Sequence, residues 1–343
     1  MRRKGTRAFR RRVRLSQLEL LAAFHRASTL SAAAREVNLS QPAASRMLRI
    51  LAEDLGVALF ERAGRTLHPT PAGRALLRRA ASFVGELERA QDELDAIGKG
   101  LAGSAMIGAG VGACYALVPR ALSLLRKARP EIVVSVREEP IEELVAKLSE
   151  RRIDLIVARI GTPTLPRDTV VEALYDPPTR IICGPQHPLA RMRRVDWPLV
   201  LQQEWIVPAA GTPMRAGLET IFRRHGGRPQ RCLTESSSIP TNVCLLNQHD
   251  MLSVLSADIA EYFSDLGVLR SLNLPVIAGP SPIVMAYLSS QAEAPVVRRL
   301  MDCLRSAGRT LTETSSAFEK TARTARRLVA RQARARRELR QDL

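Results

Sequence analysis

A chain of 343 residues is about twice the length of a common domain, so two domains are expected and a single small module is excluded. Apolar residues at 45% and charged residues at 25% suit a globular protein, and no apolar stretch reaches spanning length. The 52 Lys plus Arg against 34 Asp plus Glu leave +18, which points to polyanionic partners, nucleic acid before membrane.

That charge sits at the ends. Residues 1–14, a basic extension, hold eight basic groups and no acid, and residues 320–343 hold nine against Glu338 and Asp342, so the ends carry +15 and the body is nearly neutral. Arg2-Arg3 mimics the start of a secretion signal, but the apolar run Leu20 to Phe24 is too short for one, and a cytoplasmic location is expected. Five Cys without a Cys-x-x-Cys pair fit reduced thiols rather than a disulfide framework or a metal site.

From Leu15 the chain reads as three short helices. Ser16 is a cap for the first and Ser31 for the second, which is rich in alanine; Ser40 caps the third, with Pro42 in its first turn. At 100° per residue Ala44, Met47, Leu48, Ile50, Leu51 and Leu55 share one side of the third helix, and Gln41, Ser45, Arg46 and Arg49 the other. Amide, hydroxyl and guanidinium groups without a carboxylate before Glu53 suit a helix that enters the major groove. A plausible hairpin follows at Leu59 to Leu67, with Gly64 at its turn between Arg62 and Arg65.

The runs Leu15-Ser-Gln-Leu-Glu-Leu-Leu, Ala32 to Arg46, Leu55-Gly-Val-Ala-Leu-Phe-Glu-Arg62 and Thr70-Pro-Ala-Gly73 closely resemble the winged helix-turn-helix of LysR-type transcriptional regulators. The resemblance implies that residues 15–73 bind double-stranded promoter DNA. Ser40, Gln41, Pro42, Ser45, Arg46 and Arg49 would present the reading helix, with Arg62 and Arg65 on phosphates from the wing. Such regulators act on transcription by RNA polymerase, which becomes an expected partner.

Residues 74–100 form a linker helix. Leu76, Ala80, Phe83, Leu87, Ala90, Leu94 and Ile97 alternate at spacings of four and three, an a/d seam for a coiled-coil homodimer, ended by Gly98, Gly100 and Gly103. A dimer places two reading helices on one face of DNA, so the operator is expected to be an inverted repeat. The alternative is a helix lying on its own domain. The resemblance implies the same dimer, often paired into a homotetramer.

Residues 103–308 alternate apolar runs with helical stretches: a strand near 105–109, a helix near 117–128, a strand at 132–136, a helix near 141–151 and a strand at 155–158. This predicts an α/β domain with a largely parallel sheet and a ligand at the strand C-termini. Gly108-Ala-Gly110-Val-Gly112-Ala113 matches a dinucleotide fingerprint, with Glu138 or Glu139 as ribose ligand, but Pro119 breaks the phosphate-facing helix. The preferred reading is a helix N-terminus donating N–H groups to a small ligand. Arg129 to Val134, Ile153 to Arg159, His187 to Ala190, Trp205 to Pro208 and Gly211 to Arg215 resemble the effector domain of the same family, so the likeness runs from about residue 13 to 308.

That resemblance implies two lobes like those of a periplasmic binding protein, lobe I at 104–168 with 275–308 and lobe II at 169–274, crossed by two strands. Glu235-Ser-Ser-Ser238 and the Asp250-Met251 stretch look closest to the galactose-binding-protein-regulator subgroup. An effector, a small carboxylate or sugar-like molecule, is expected between the lobes against Val111, Gly112, Ala113, Cys114, Arg159, Thr212 and Ser237. Arg159 would clamp a carboxylate bidentately, the alternative being a surface arginine paired with a neighbouring acid; Cys114 reads first as a buried small apolar side chain, with a thiol activated by a helix N-terminus as the alternative.

The tail at 314–343 is rich in Arg and Ala and is expected to add sequence-independent DNA affinity. The sequence offers no metal motif, no nucleophile elbow and no catalytic constellation, and no cofactor is expected. Two other readings stay open: a nucleoid-type DNA binder driven by its tails, and a nicotinamide-dependent oxidoreductase using Gly108 to Ala113.

Overall fold

The computed structural model describes residues 13–27, 29–63, 66–98, 103–161, 164–227, 229, 231–274 and 281–314. The basic extension through residue 12, the tail beyond 314, Gly64 and Arg65 lie outside them.

Three helices open the chain: α1 (Leu15–Ala27), α2 (Leu30–Glu36) and α3 (Gln41–Leu55). Two caps differ from expectation. Helix α1 starts at Leu15 because the Gln17 side chain accepts the Arg14 N–H at 2.8 Å, which leaves Ser16 inside the first turn. Helix α2 is capped by Thr29, accepting from the Ala32 N–H at 3.4 Å, and Ser31 is helical. For α3, Ser40 accepts the Ala43 N–H at 3.3 Å and Pro42 lies in the first turn.

Strands β1 (Phe60–Ala63) and β2 (Thr66–Pro69) form the antiparallel wing. Helix α4 (Pro71–Gly98) then begins three residues before position 74. Thr70 Oγ accepts the Gly73 N–H at 3.0 Å and donates to the Ala58 carbonyl at 2.8 Å, which ties the wing exit to the helix start. Gly73 is required there, because a Cβ would overlap the Leu59 carbonyl. Leu77 and Ala80 complete the core made by Leu20, Leu21, Phe24, Leu48 and Leu51.

Further along, α4 lies on the next domain of its own chain. Gly85 sits so close to the Glu150 carbonyl that no side chain fits. Arg89 pairs with buried Asp154, Glu86 with Arg151 at 2.9 Å and Glu88 with Arg152 at 3.2 Å.

The C-terminal domain holds two five-stranded sheets. Lobe I contains β3 (Gly103–Ala109), β4 (Ile132–Glu138), β5 (Leu155–Ala158), β6 (Thr169–Tyr175) and β12 (Ile283–Leu288) in the order β4-β3-β5-β12-β6. Lobe II contains β7 (Thr179–Cys183), β8 (Glu204–Val207), β9 (Arg231–Glu235), β10 (Met251–Ser256) and β11 (Arg270–Ser271) in the order β11-β7-β10-β8-β9. Within each sheet three strands run parallel. Strands β12 and β7 run against their neighbours.

The lobe boundary at 168 is therefore corrected. Strand β6 pairs with β12 along its whole length, so it belongs to lobe I, and the chain crosses between Tyr175 and Thr179.

Helices α5 (Leu117–Ala128) and α6 (Ile141–Ser149) cover lobe I, together with a helix over 295–314. Helices α7 (Trp197–Leu201), α8 (Pro213–Arg224), α9 (Ile239–Gln248) and α10 (Ala257–Asp265) cover lobe II. Strands β5, β10 and β12 are buried at every position, as expected of strands covered on both faces.

Candidate DNA interface and effector cleft

On α3, Ala44, Leu48 and Leu51 are buried, whereas Gln41, Pro42, Arg46 and Arg49 are exposed and Ser45 is half-buried. Ile50, expected on the packing side, is 42% exposed. Arg49 lies 3.9 Å from Glu53 in solvent, too loose to neutralise it, and Arg46 has no ion-pair partner among the described residues. The face thus offers an amide, a hydroxyl and two guanidinium groups held at fixed helical spacing. Arg62 belongs to β1 beside this helix in sequence, while the expectation for Arg65 falls outside the described residues.

The seam on α4 is only partly available. Ala80 is buried and Leu76 half-buried within the module's own core, because the first turns of α4 pack along α1. Phe83, Leu87, Ala90, Leu94 and Ile97 are exposed, with Leu94 at 65%. This stripe of large apolar groups, about 21 Å long at helical rise, is left uncovered by the described residues of its own chain.

Between the lobes lies a cavity of about 280 Å³. Val111, Gly112, Arg159, Thr212 and Ser237 line it. Ala113 and Cys114 do not: Val111–Ala113 form a single 3-10 turn, α5 starts only at Leu117, and this turn drives Ala113 into the lobe I core. The expected helix N-terminus at 111–114 is corrected accordingly, and the glycine run is not the phosphate-facing start of a helix. The Cys114 thiol donates to the Gly110 carbonyl at 3.6 Å, and burial, with Glu138 nearby, pushes its pKa up to about 12. It is a thiol rather than a reactive thiolate.

The polar groups of the cleft are mostly engaged. Arg159, its side chain 10% exposed, donates to Asp176 at 3.4 Å and to the Pro177 carbonyl at 3.1 Å, so it is not the free clamp expected. Burial lowers its pKa, with Asp176 and Asp258 opposing that. Thr212 caps α8 by accepting the Arg215 N–H at 3.2 Å and donates to the Ala209 carbonyl at 2.7 Å. Ser237 accepts the Ala209 N–H at 3.4 Å. Glu139, also on the wall, is bound by Lys147.

Asn242 is the cleft residue missed in the sequence. It is buried, lines the cavity, and its Oδ1 has no hydrogen-bond partner among the described residues. A signal existed: Ile239, Asn242 and Leu246 are spaced three and four apart, which puts an amide on the buried stripe of α9. Among the described residues no group of three or more His, Cys, Asp or Glu is placed to hold a metal ion, and no helix is long and apolar enough to cross a membrane.

Two family models match the chain. One, described as bacterial regulatory helix-turn-helix protein, lysR family, matches residues 15–74; the other, described as LysR substrate binding domain, matches residues 98–309. The HTH-type transcriptional regulator GbpR of Azospirillum brasilense is 27% identical over 303 residues, 87% of this chain and 88% of that protein. The HTH-type transcriptional regulator CbbR of Xanthobacter flavus is 28% identical over 306 residues, covering 86% and 88%. In fold, the crystal structure of CbnR, a LysR family transcriptional regulator, has a TM-score of 0.60 at 20% identity, over 86% of this chain and 99% of that one.

Proposed function

The chain belongs to the LysR family of DNA-binding transcriptional regulators, which carry an effector-binding domain and are not enzymes, and from that premise we propose how its parts act together. Two copies join through Phe83, Leu87, Ala90, Leu94 and Ile97, and pairs of dimers form the tetramer. Each dimer sets two α3 helices on an inverted repeat near a promoter. Gln41, Ser45, Arg46 and Arg49 read or clamp each half-site, with Ser40 and Pro42 fixing the helix start and Arg62 and Arg65 on flanking phosphates.

A small molecule held by Val111, Gly112, Arg159, Thr212 and Ser237 biases the lobe geometry. The docked linker helix carries that bias to the spacing of the DNA-binding arms and thereby to RNA polymerase, in the cytoplasm.

The observation that supports this most is the α3 face, where Arg46 stands exposed beside Gln41 and Arg49 with no ion-pair partner among the described residues. Fluorescence anisotropy of the full chain on DNA from upstream of its own gene, against a shuffled duplex at near-physiological salt, tests it. A preference of roughly a thousandfold or more that collapses in Arg46→Ala is expected. Equal, salt-sensitive binding to both duplexes, unchanged in the variant, would turn the reading toward a nucleoid-type binder driven by the basic tails.

A further inference from the structure

The chemistry of the cleft narrows what it can hold. Its walls are mostly apolar, formed by such residues as Ile141, Leu144, Met214, Ile239 and Ile259. Two charged side chains reach it, and each already has an opposite charge: Arg159 is held by Asp176 and the Pro177 carbonyl, and Glu139 by Lys147. A ligand carboxylate entering here would lose its water and find no unpaired cation, an unfavourable exchange for an ion. A ligand ammonium would meet the same obstacle at Glu139.

Among the described residues, one buried acceptor on this wall has no partner. The Asn242 side chain, 6% exposed, lines the cavity, and its Oδ1 has no partner among the described residues. Ser253, beside it on the wall, is engaged with the Ile206 carbonyl at 3.0 Å, and Thr212 is engaged at both its donor and its acceptor. A buried amide oxygen without a partner lowers stability, and the gain that offsets it comes when a donor reaches it. A half-turn about the last side-chain bond exchanges Oδ1 and Nδ2 at the same place, so the amide can meet either a hydroxyl or an amide of a ligand.

We propose that the effector is an uncharged small molecule with an apolar body and one hydroxyl or amide group, which hydrogen-bonds to the side chain of Asn242. The inference rests on the cleft being the effector site, as proposed above. It replaces the carboxylate anticipated from Arg159 with a neutral ligand.

The test uses the full chain and a matched pair of probes, benzamide and benzoate, which share ring and shape and differ in charge and in donor. Both tryptophans, Trp197 and Trp205, lie in lobe II, so the thermal transition followed by tryptophan fluorescence reports on the lobe that carries Asn242. Three results are expected. Benzamide raises the transition of the parent chain more than benzoate does. Asn242→Leu, with no probe present, melts about 2–4 °C above the parent because an unsatisfied buried oxygen is gone. The benzamide increment disappears in that variant.

If benzoate raises the transition as much as benzamide or more, the neutral class is wrong while the cleft remains the site. If Asn242→Leu melts below the parent, the amide has a partner in the free protein and its assignment to a ligand falls. A chain that responds to neither probe also overturns the class. The anisotropy assay decides separately whether the chain reads DNA, so a failure there is distinguishable from a failure here.

Discussion

The outer face of α3 and the wall of the cleft hold the same side chain, arginine, in opposite states. Arg46 is exposed with no ion-pair partner among the described residues, whereas Arg159 is nearly enclosed and bound to Asp176 and the Pro177 carbonyl. The sequence presents both as cations at the end of a motif. What separates them is whether the chain itself supplies the counter-charge. A group left open by its own chain is available for a partner, and a group closed by its own chain holds the fold. The stripe on α4 belongs with Arg46, since Phe83, Leu87, Leu94 and Ile97 are apolar and exposed, while Leu77 and Ala80 one turn earlier are closed into the core.

The strongest way to break this comparison is to charge the open stripe. Phe83→Asp with Leu94→Asp should convert the proposed dimer to a monomer. Each lost apolar side chain is worth roughly 1.5–3 kcal/mol of burial, so association weakens by at least about a hundredfold. Light scattering after size-exclusion chromatography at micromolar concentration measures it. The helical content and the melting of the lobes should stay as they were, and a variant that remains dimeric would show that the stripe is covered in some other way.

Arg159→Ala gives the next largest effect. Removing this side chain leaves Asp176 and the buried Asp258 without their cation, and loses two hydrogen bonds made by a charged donor. The effector domain should lose about 2 kcal/mol of stability, with operator affinity unchanged. Arg46→Ala should do the reverse. Equal behaviour of the two variants in both assays would remove the distinction.

Much of this was legible because local signals decide local structure. Ser40 and Pro42 fix the start of α3, and the alternation of apolar runs with helices gives the α/β class of the effector domain. What was not legible depended on contacts far apart in sequence. Whether Ala80 joins a seam or a core is set by α1, which lies more than fifty residues earlier. Strand β6 belongs to lobe I because β12, over a hundred residues later, pairs with it. The state of Arg159 is decided by Asp176, and the glycine run at 108–112 looks like a phosphate turn until its 3-10 geometry separates it from α5. Ser16 and Ser31 lie inside their helices rather than at the caps because each helix starts one residue before its serine, where Gln17 accepts the Arg14 N–H and Thr29 the Ala32 N–H.

The smallest effect sharpens the comparison, because His187 is a group its own chain closes on one side only. It is 2% exposed at the start of the turn Pro188–Arg191. Its Nδ1 accepts the Leu189 N–H at 3.0 Å, and its Nε2 has no partner among the described residues. Burial lowers its pKa below the usual histidine value, and Asp250 opposes this only in part. The unfolded chain therefore takes up the proton first. Stability is unaffected well above about pH 6.5 and declines as pH falls through that value, continuing until the folded form is protonated as well. Protonation also puts a hydrogen on Nδ1, against the Leu189 N–H that it accepts. The fluorescence-detected transition of lobe II should thus fall between about pH 7.5 and pH 5.5. In His187→Asn, whose amide oxygen can still accept from Leu189, the baseline should be lower and the fall smaller. An equal fall in parent and variant would place the acid sensitivity in carboxylates elsewhere and leave His187 as a neutral packing residue.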